Sequence, residues 1–91
     1  MDNAAWKDWI GATVVVDTNS IFVYIGKLQE ILPDFLVMVE VDVHDRNDGQ
    51  STKERYVMDS KLYGVRANRK TVSVRKDLVV SVSRIEDILE Y

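Results

Sequence analysis

The sequence contains no cysteine and a single histidine, His44, among its 91 residues. The first absence excludes a disulfide framework and any thiolate zinc site. The second leaves no pair of imidazoles to hold a metal or relay a proton, and no glycine-rich loop is present to cradle a phosphate. His44 falls on the outward phase of an alternating strand beside Asp42 and Asp45. A solvated surface side chain is expected there rather than a metal ligand or catalytic base. No catalytic residue, metal, cofactor or small-molecule substrate is therefore expected, and the chain does not read as an enzyme. Long apolar runs are also missing: the stretch Phe35 to Val39 falls far short of a bilayer span. Met1-Asp2-Asn3 lacks a basic segment followed by an apolar one, so no secretory signal is read there. The expectation is a soluble cytoplasmic protein with no membrane partner.

What the chain does contain is ordinary for a soluble domain: 46% hydrophobic and 30% charged residues. Its length suits one domain, 1–91, able to bury a single core without a staple. The net charge of −3 conceals an asymmetry. Residues 1–59 carry five Lys/Arg against eleven Asp/Glu, whereas residues 60–76 carry six bases and no acid. These six are Lys61, Arg66, Arg69, Lys70, Arg75 and Lys76. A confined basic tract of this kind can track phosphates even on an acidic chain. The same charges also suit a solvated loop.

Asn3 to Gly11 reads as a short helix, capped by Asp2 or Asn3 and stopped by Gly11. Trp6, Trp9 and Ile10 share its apolar face, which predicts packing of both tryptophans on the body of the domain rather than base stacking. Ala12 to Asp17 is a first strand, followed by the turn Asp17-Thr18-Asn19-Ser20, in which Asn19 tolerates a left-handed conformation. Ile21 to Leu32 is a long second strand, with Gly26 permitting a sharp bend. After Pro33-Asp34, Phe35 to Asp45 alternates Val37, Val39, Val41 and Val43 against Glu40, Asp42 and His44. A polar loop over 46–50 leads to Ser51-Thr52-Lys53-Glu54, which has the spacing of a capping box. Residues 52–63 are thus expected to be helical, ending at Gly64 with Met58 and Leu62 inward; an extended Arg55 to Met58 is the alternative. Thr71 to Val74 and Leu78 to Val82 are β-branched runs without proline, split by the charged turn Arg75-Lys76-Asp77. Neither run is suited to remain unpaired in water. Ser83 to Glu86 leads into a last helical turn carrying Ile85, Ile88 and Leu89.

The stretch around that charged turn resembles the second motif of the Sm/LSm family, hydrophobic-Arg-Gly-Asp/Asn-x-hydrophobic. It matches at Val74, Arg75, Asp77, Val79 and Val80, and departs at Lys76, where the family usually has glycine. The first motif of the family is matched at Ile25, Gly26 and Leu28, with Val37, Val39 and Glu40 continuing in register. The resemblance covers about residues 6–88 with an insertion at 45–69. It implies a mainly β fold, a small five-stranded, bent antiparallel Sm-like (SH3-like) barrel with an N-terminal helix over 1–11 and an inserted helix. It also implies a homo-oligomeric ring in which the fourth strand of one copy pairs with the fifth of the next. Thr71, Val72, Val74, Val79, Val80 and Val82 would then supply the interface.

The family's RNA-reading residues are only partly present. Its aspartate falls on Leu32 and its asparagine on Leu36, neither of which can hydrogen-bond a uracil edge. The position often used for stacking falls on Asp34, with Phe35 beside it, while Arg75 matches the family's arginine. The resemblance thus implies weak single-stranded RNA binding without strong uridine preference, through Asp34, Phe35, Arg69, Lys70, Arg75 and Lys76. Phe35 as a core residue and Arg75 paired with Asp77 or a neighbouring subunit are the structural readings of the same residues. A structural or protein-interaction ring that has lost base recognition is the second expectation for function. A monomeric SH3-like peptide binder is the third.

Overall fold

Three consecutive valines, Val14, Val15 and Val16, are all buried in one strand, and this requires cover on both faces of the sheet. In a computed structural model describing residues 4–47 and 52–89, that cover comes from the bent sheet itself on one side and from a helix on the other. The elements run α1 (Ala4–Lys7), β1 (Thr13–Thr18), β2 (Phe22–Ile31), β3 (Phe35–Asp45), α2 (Lys53–Tyr63), β4 (Arg69–Arg75) and β5 (Val79–Arg84). Single 3-10 turns at Lys76–Leu78 and Ile85–Asp87 follow β4 and β5. The five strands form one antiparallel sheet in the order β4-β3-β2-β1-β5, so β4 and β5 lie at its two edges.

Inside the bend, Trp6 packs with Val14, Val16, Leu28, Leu36, Met38, Val41, Val74 and Val79. On the outer face, Val57 of α2 packs on Val15, Val23 and Ile25. The bend is made where β2 meets β3. Ile25 pairs with Asp42 but Lys27 with Val39, which leaves Gly26 opposite an extra residue. Glu40 adopts φ 51° there, and a Cβ on residue 26 would lie 3.0 Å from both the Glu40 carbonyl oxygen and Val41 Cα. Only glycine fits that approach.

The inserted segment is helical, and the extended alternative over Arg55 to Met58 does not form. Thr52 caps it, its hydroxyl accepting the Arg55 N–H at 3.2 Å. Ser51, the expected capping-box residue, lies outside the described residues, as do Asp2 and Asn3. Gly64 ends the helix at φ 96°. The buried face differs from expectation: Val57 and Ser60 point inward, Met58 is half-buried and Leu62 is exposed. Ser60 is tolerated inside because its hydroxyl donates to the Tyr56 carbonyl one turn back.

Three further expectations are corrected. The first helix spans only Ala4–Lys7; Trp6 is buried and Trp9 half-buried, but Ile10 is exposed. Asn19 is not left-handed; instead the β1–β2 turn is tied by the Thr18 hydroxyl, which donates to Phe22 O at 2.7 Å, and by Ser20. Asp42 and His44 do not face open solvent, because α2 covers that side of β3.

Candidate nucleic-acid interface

Strand register brings the two central candidates together. Phe35, the first residue of β3, is the direct cross-strand partner of Arg75, the last of β4. The turn after β4 is tied to the turn before β3 by the Lys76 N–H, which donates to Asp34 O at 2.9 Å. Leu32 N–H closes the other side of the β2–β3 turn on Phe35 O, also at 2.9 Å. Asp34, Phe35, Arg75 and Lys76 therefore form one end of the molecule, with Phe35 37% exposed as a residue rather than fully in the core. The Arg75 guanidinium donates to the Asp77 carboxylate at 2.6 Å, so the ion-pair reading of this residue is realised within the chain. Both partners are well exposed, and such a pair contributes about 0–1 kcal/mol, little enough to yield to a phosphate. Asp34 and Asp77 balance Arg75 and Lys76, so this end has no excess positive charge.

Leu36, at the family's asparagine position, is fully buried in the inner core, and Leu32 is partly exposed on the turn. Neither offers a polar atom to a base.

Arg69 and Lys70 stand apart from this group. Arg69 pairs with Val41 at the opposite end of β4, roughly 20 Å from Arg75 at a rise of about 3.3 Å per residue. The six candidate RNA-binding residues thus divide between two ends of one strand. Of the candidate interface residues, Val74 and Val79 are buried in the chain's own core, while Thr71 and Val80 are exposed and Val72 and Val82 half-buried on the two edges. Val80 is also the extra residue where β5 slips register against Asp17 and Thr18 of β1.

At the Arg69 end the structure assembles a group the sequence reading missed. The Tyr56 hydroxyl donates to Asp42 Oδ2 at 2.6 Å, and His44 stacks on the Tyr56 ring with centroids 3.7 Å apart and planes 12° from parallel. Burial, reinforced by the hydrogen bond to the Asp42 carboxylate, pushes the Tyr56 phenol well above its ordinary range. Asn68 pins the incoming chain to β3: its side-chain amide donates to Asp42 Oδ1 and Val43 O, and its oxygen accepts the Val43 N–H. A cleft of about 410 Å³ opens between α2 and β3 beside this group. Among the described residues, no three His, Cys, Asp or Glu side chains converge as a metal site. The sequence signal for this arrangement was the unbroken Val14-Val15-Val16 run, which demands an outer layer; the inserted helix supplies it together with Val65, Ile85 and Ile88.

No protein-family model matches the sequence, and no curated protein matches it. Solved structures do. An Sm protein of Pyrococcus abyssii in complex with a uridine heptamer matches with a TM-score of 0.61 at 11% identity, over 92% of this chain and 97% of that one. The P. aerophilum SmAP1 heptamer gives 0.57 at 17% identity, over 92% and 95%. A chain of the NatC complex bound to CoA gives 0.57 at 18% identity, over 92% and 88%. The chain therefore has the Sm-like fold.

Proposed function

We propose that the chain assembles into a closed homo-oligomeric ring and binds single-stranded RNA weakly, without uridine preference. The observation that carries the RNA reading is the cross-strand pairing of Phe35 with Arg75, beside Lys76, which offers a stacking surface and cations at one place. The likeness to an Sm protein complexed with a uridine heptamer supports the same ligand class. The edge positions of β4 and β5 support the ring. Each leaves one row of backbone donors and acceptors without a partner among the described residues, and pairing β4 of one copy with β5 of the next removes both edges. The P. aerophilum neighbour is a heptamer.

A ring repeats the Phe35–Arg75 end once per subunit, so weak contacts add around it. With no excess positive charge at each copy, the dissociation constant should be on the order of micromolar and salt-sensitive. Light scattering tests the assembly, since a ring has a mass several times the 10.5 kDa of one chain. A stable 10.5 kDa monomer at micromolar concentration rules the ring out. Titration of labelled single strands tests the ligand, with Arg75→Glu, Lys76→Glu as the variant that keeps the mass and loses most binding.

Two observations favour a second reading, a structural or protein-interaction ring. The asparagine position of the base pocket is occupied by the core residue Leu36, and the chain is also similar to a chain of the NatC complex. Absence of any shift of several single-stranded RNAs at low salt selects this reading.

A further inference from the structure

The cleft between α2 and β3 has the chemistry of a ligand site and lies at the end of β4 away from Phe35 and Arg75. Its volume of about 410 Å³ falls in the range of small-molecule pockets. Aromatic rings supply much of its wall: His44, stacked on Tyr56, and Tyr63 at the rim. Tyr63 is 81% exposed, so the last residue of α2 presents most of its ring to solvent beside the cleft.

Charge decides what such a cleft accepts. Its two carboxylates are already engaged. Asp42 receives Tyr56 and Asn68, and Asp59 is paired with Arg55 at 3.2 Å. Arg66 also lines the cleft and has no hydrogen-bonded or ionic partner among the described residues. Arg69 and Lys70, which follow at the start of β4, have no acidic partner among them either. The cations at this end without an ionic partner among the described residues are thus Arg66, Arg69 and Lys70, whereas both oxygens of Asp42, which keeps its charge, are already taken up by neutral donors. A cationic side chain would meet engaged carboxylates and unpaired cations, whereas a planar ring bearing an anion would meet a stacking surface and a free guanidinium.

We propose that this cleft binds a nucleotide, its base stacked on Tyr63 or His44 and its phosphate held by Arg66. The nucleotide is either free or part of a strand; the strand-borne form rests on the RNA reading above, while the site uses none of that reading's turn residues.

Amide chemical shifts of the full chain, titrated separately with AMP, with adenosine, with short oligoadenylate and with a lysine-rich peptide, test the proposal. Either nucleotide ligand should shift the amides from Ser60 to Arg66 together with His44. Tyr63→Ala should weaken that binding about ten-fold, since one stacked base is lost. Arg66→Glu should weaken AMP binding several-fold while leaving adenosine binding nearly unchanged. Both substitutions fall on exposed side chains, so the native spectrum should persist. Shifts by AMP identify a free nucleotide as sufficient, and shifts by oligoadenylate alone identify the strand as the source. No shift at this cleft with either, or a shift with the peptide alone, overturns the proposal. Persistence of the cleft shifts in Arg75→Glu, Lys76→Glu separates this site from the turn, so failure of one reading leaves the other standing.

Discussion

The two ends of β4 are held by different kinds of contact. At the Arg75 end everything is supplied by the barrel: a ladder partner in Phe35, a turn tied by Lys76 N–H to Asp34, and an exposed ion pair. At the Arg69 end the inserted helix takes part, and polar groups are locked together by Tyr56, Asp42 and Asn68. A basic tract that is continuous in sequence thus becomes two separate groups in space. One has its cations balanced by carboxylates in the same turns, and the other has cations without acidic partners among the described residues. Contiguity of charge along a chain is a poor guide to a shared surface when a strand carries it.

This contrast can be broken most directly by removing the helix. Val57→Asp places a carboxylate against the apolar side chains of Val15, Val23 and Ile25. Burying that charge should cost about 4 kcal/mol or more, which α2 can avoid only by detaching. Hydrogen exchange should then show loss of protection in α2 and at Asn68, with the β2–β3 amides still protected. Protection retained in α2 would mean that the helix is not held by this contact.

A smaller effect is expected from Gly26→Ala. The new methyl meets the Glu40 carbonyl and Val41 at 3.0 Å, and Val41 is the ladder partner of Arg69. Relief by a shift of β3 should cost about 1–3 kcal/mol in denaturant unfolding. Chemical-shift changes should concentrate at the Arg69 end and leave Phe35 and Arg75 little moved. Equal disturbance at both ends would show that the bulge transmits strain along the whole of β3.

Next in size is Tyr56→Phe, which takes a hydrogen bond from the half-buried Asp42 and should cost about 1–2 kcal/mol at neutral pH. The pH dependence has a definite sign. The unfolded phenol loses its proton near pH 10, whereas the folded one keeps it well above that. Stability that is complete below about pH 10 therefore falls as pH rises beyond it, because the folded state alone retains the proton. Unfolding curves of wild type should show that decline, and the phenylalanine variant should show less of it.

The sequence carried the barrel well and its outer layer poorly, for physical reasons. Gly26 and the β-branched runs on either side of Arg75 reflect local backbone requirements, which neighbouring residues reveal, but the valine alternation of β3 misleads: Leu36 and Met38, not Val37 and Val39, are buried, and the phase changes at the bulge around Glu40 before Val41. The helix over 53–63 was legible from its start and stop signals. Its buried face was not, because Val57 and Ser60 are a short apolar and a small polar residue, while the larger Met58 and Leu62 suggest the opposite side. His44 and Asp42 alternate as outward residues should; only the arrival of α2 from a distant part of the chain turns them into a half-buried group. Pairing of Phe35 with Arg75 likewise depends on the register of β3 against β4, which composition does not encode.

The mildest test bears on the barrel end alone. Asp77 holds the Arg75 guanidinium in an exposed pair, and removing its charge by Asp77→Asn should change stability by less than about 0.5 kcal/mol. If Arg75 is the residue that meets a phosphate, the same change should tighten single-stranded RNA binding several-fold at low salt. It releases the guanidinium and removes a nearby negative charge, and the gain should shrink as salt rises. The cleft end offers the control, since AMP binding there should not respond to a substitution roughly 20 Å away along β4. Tighter RNA binding with unchanged AMP binding would set the two ends apart as independent. RNA affinity indifferent to Asp77→Asn would leave Arg75 with its ion pair as its whole role.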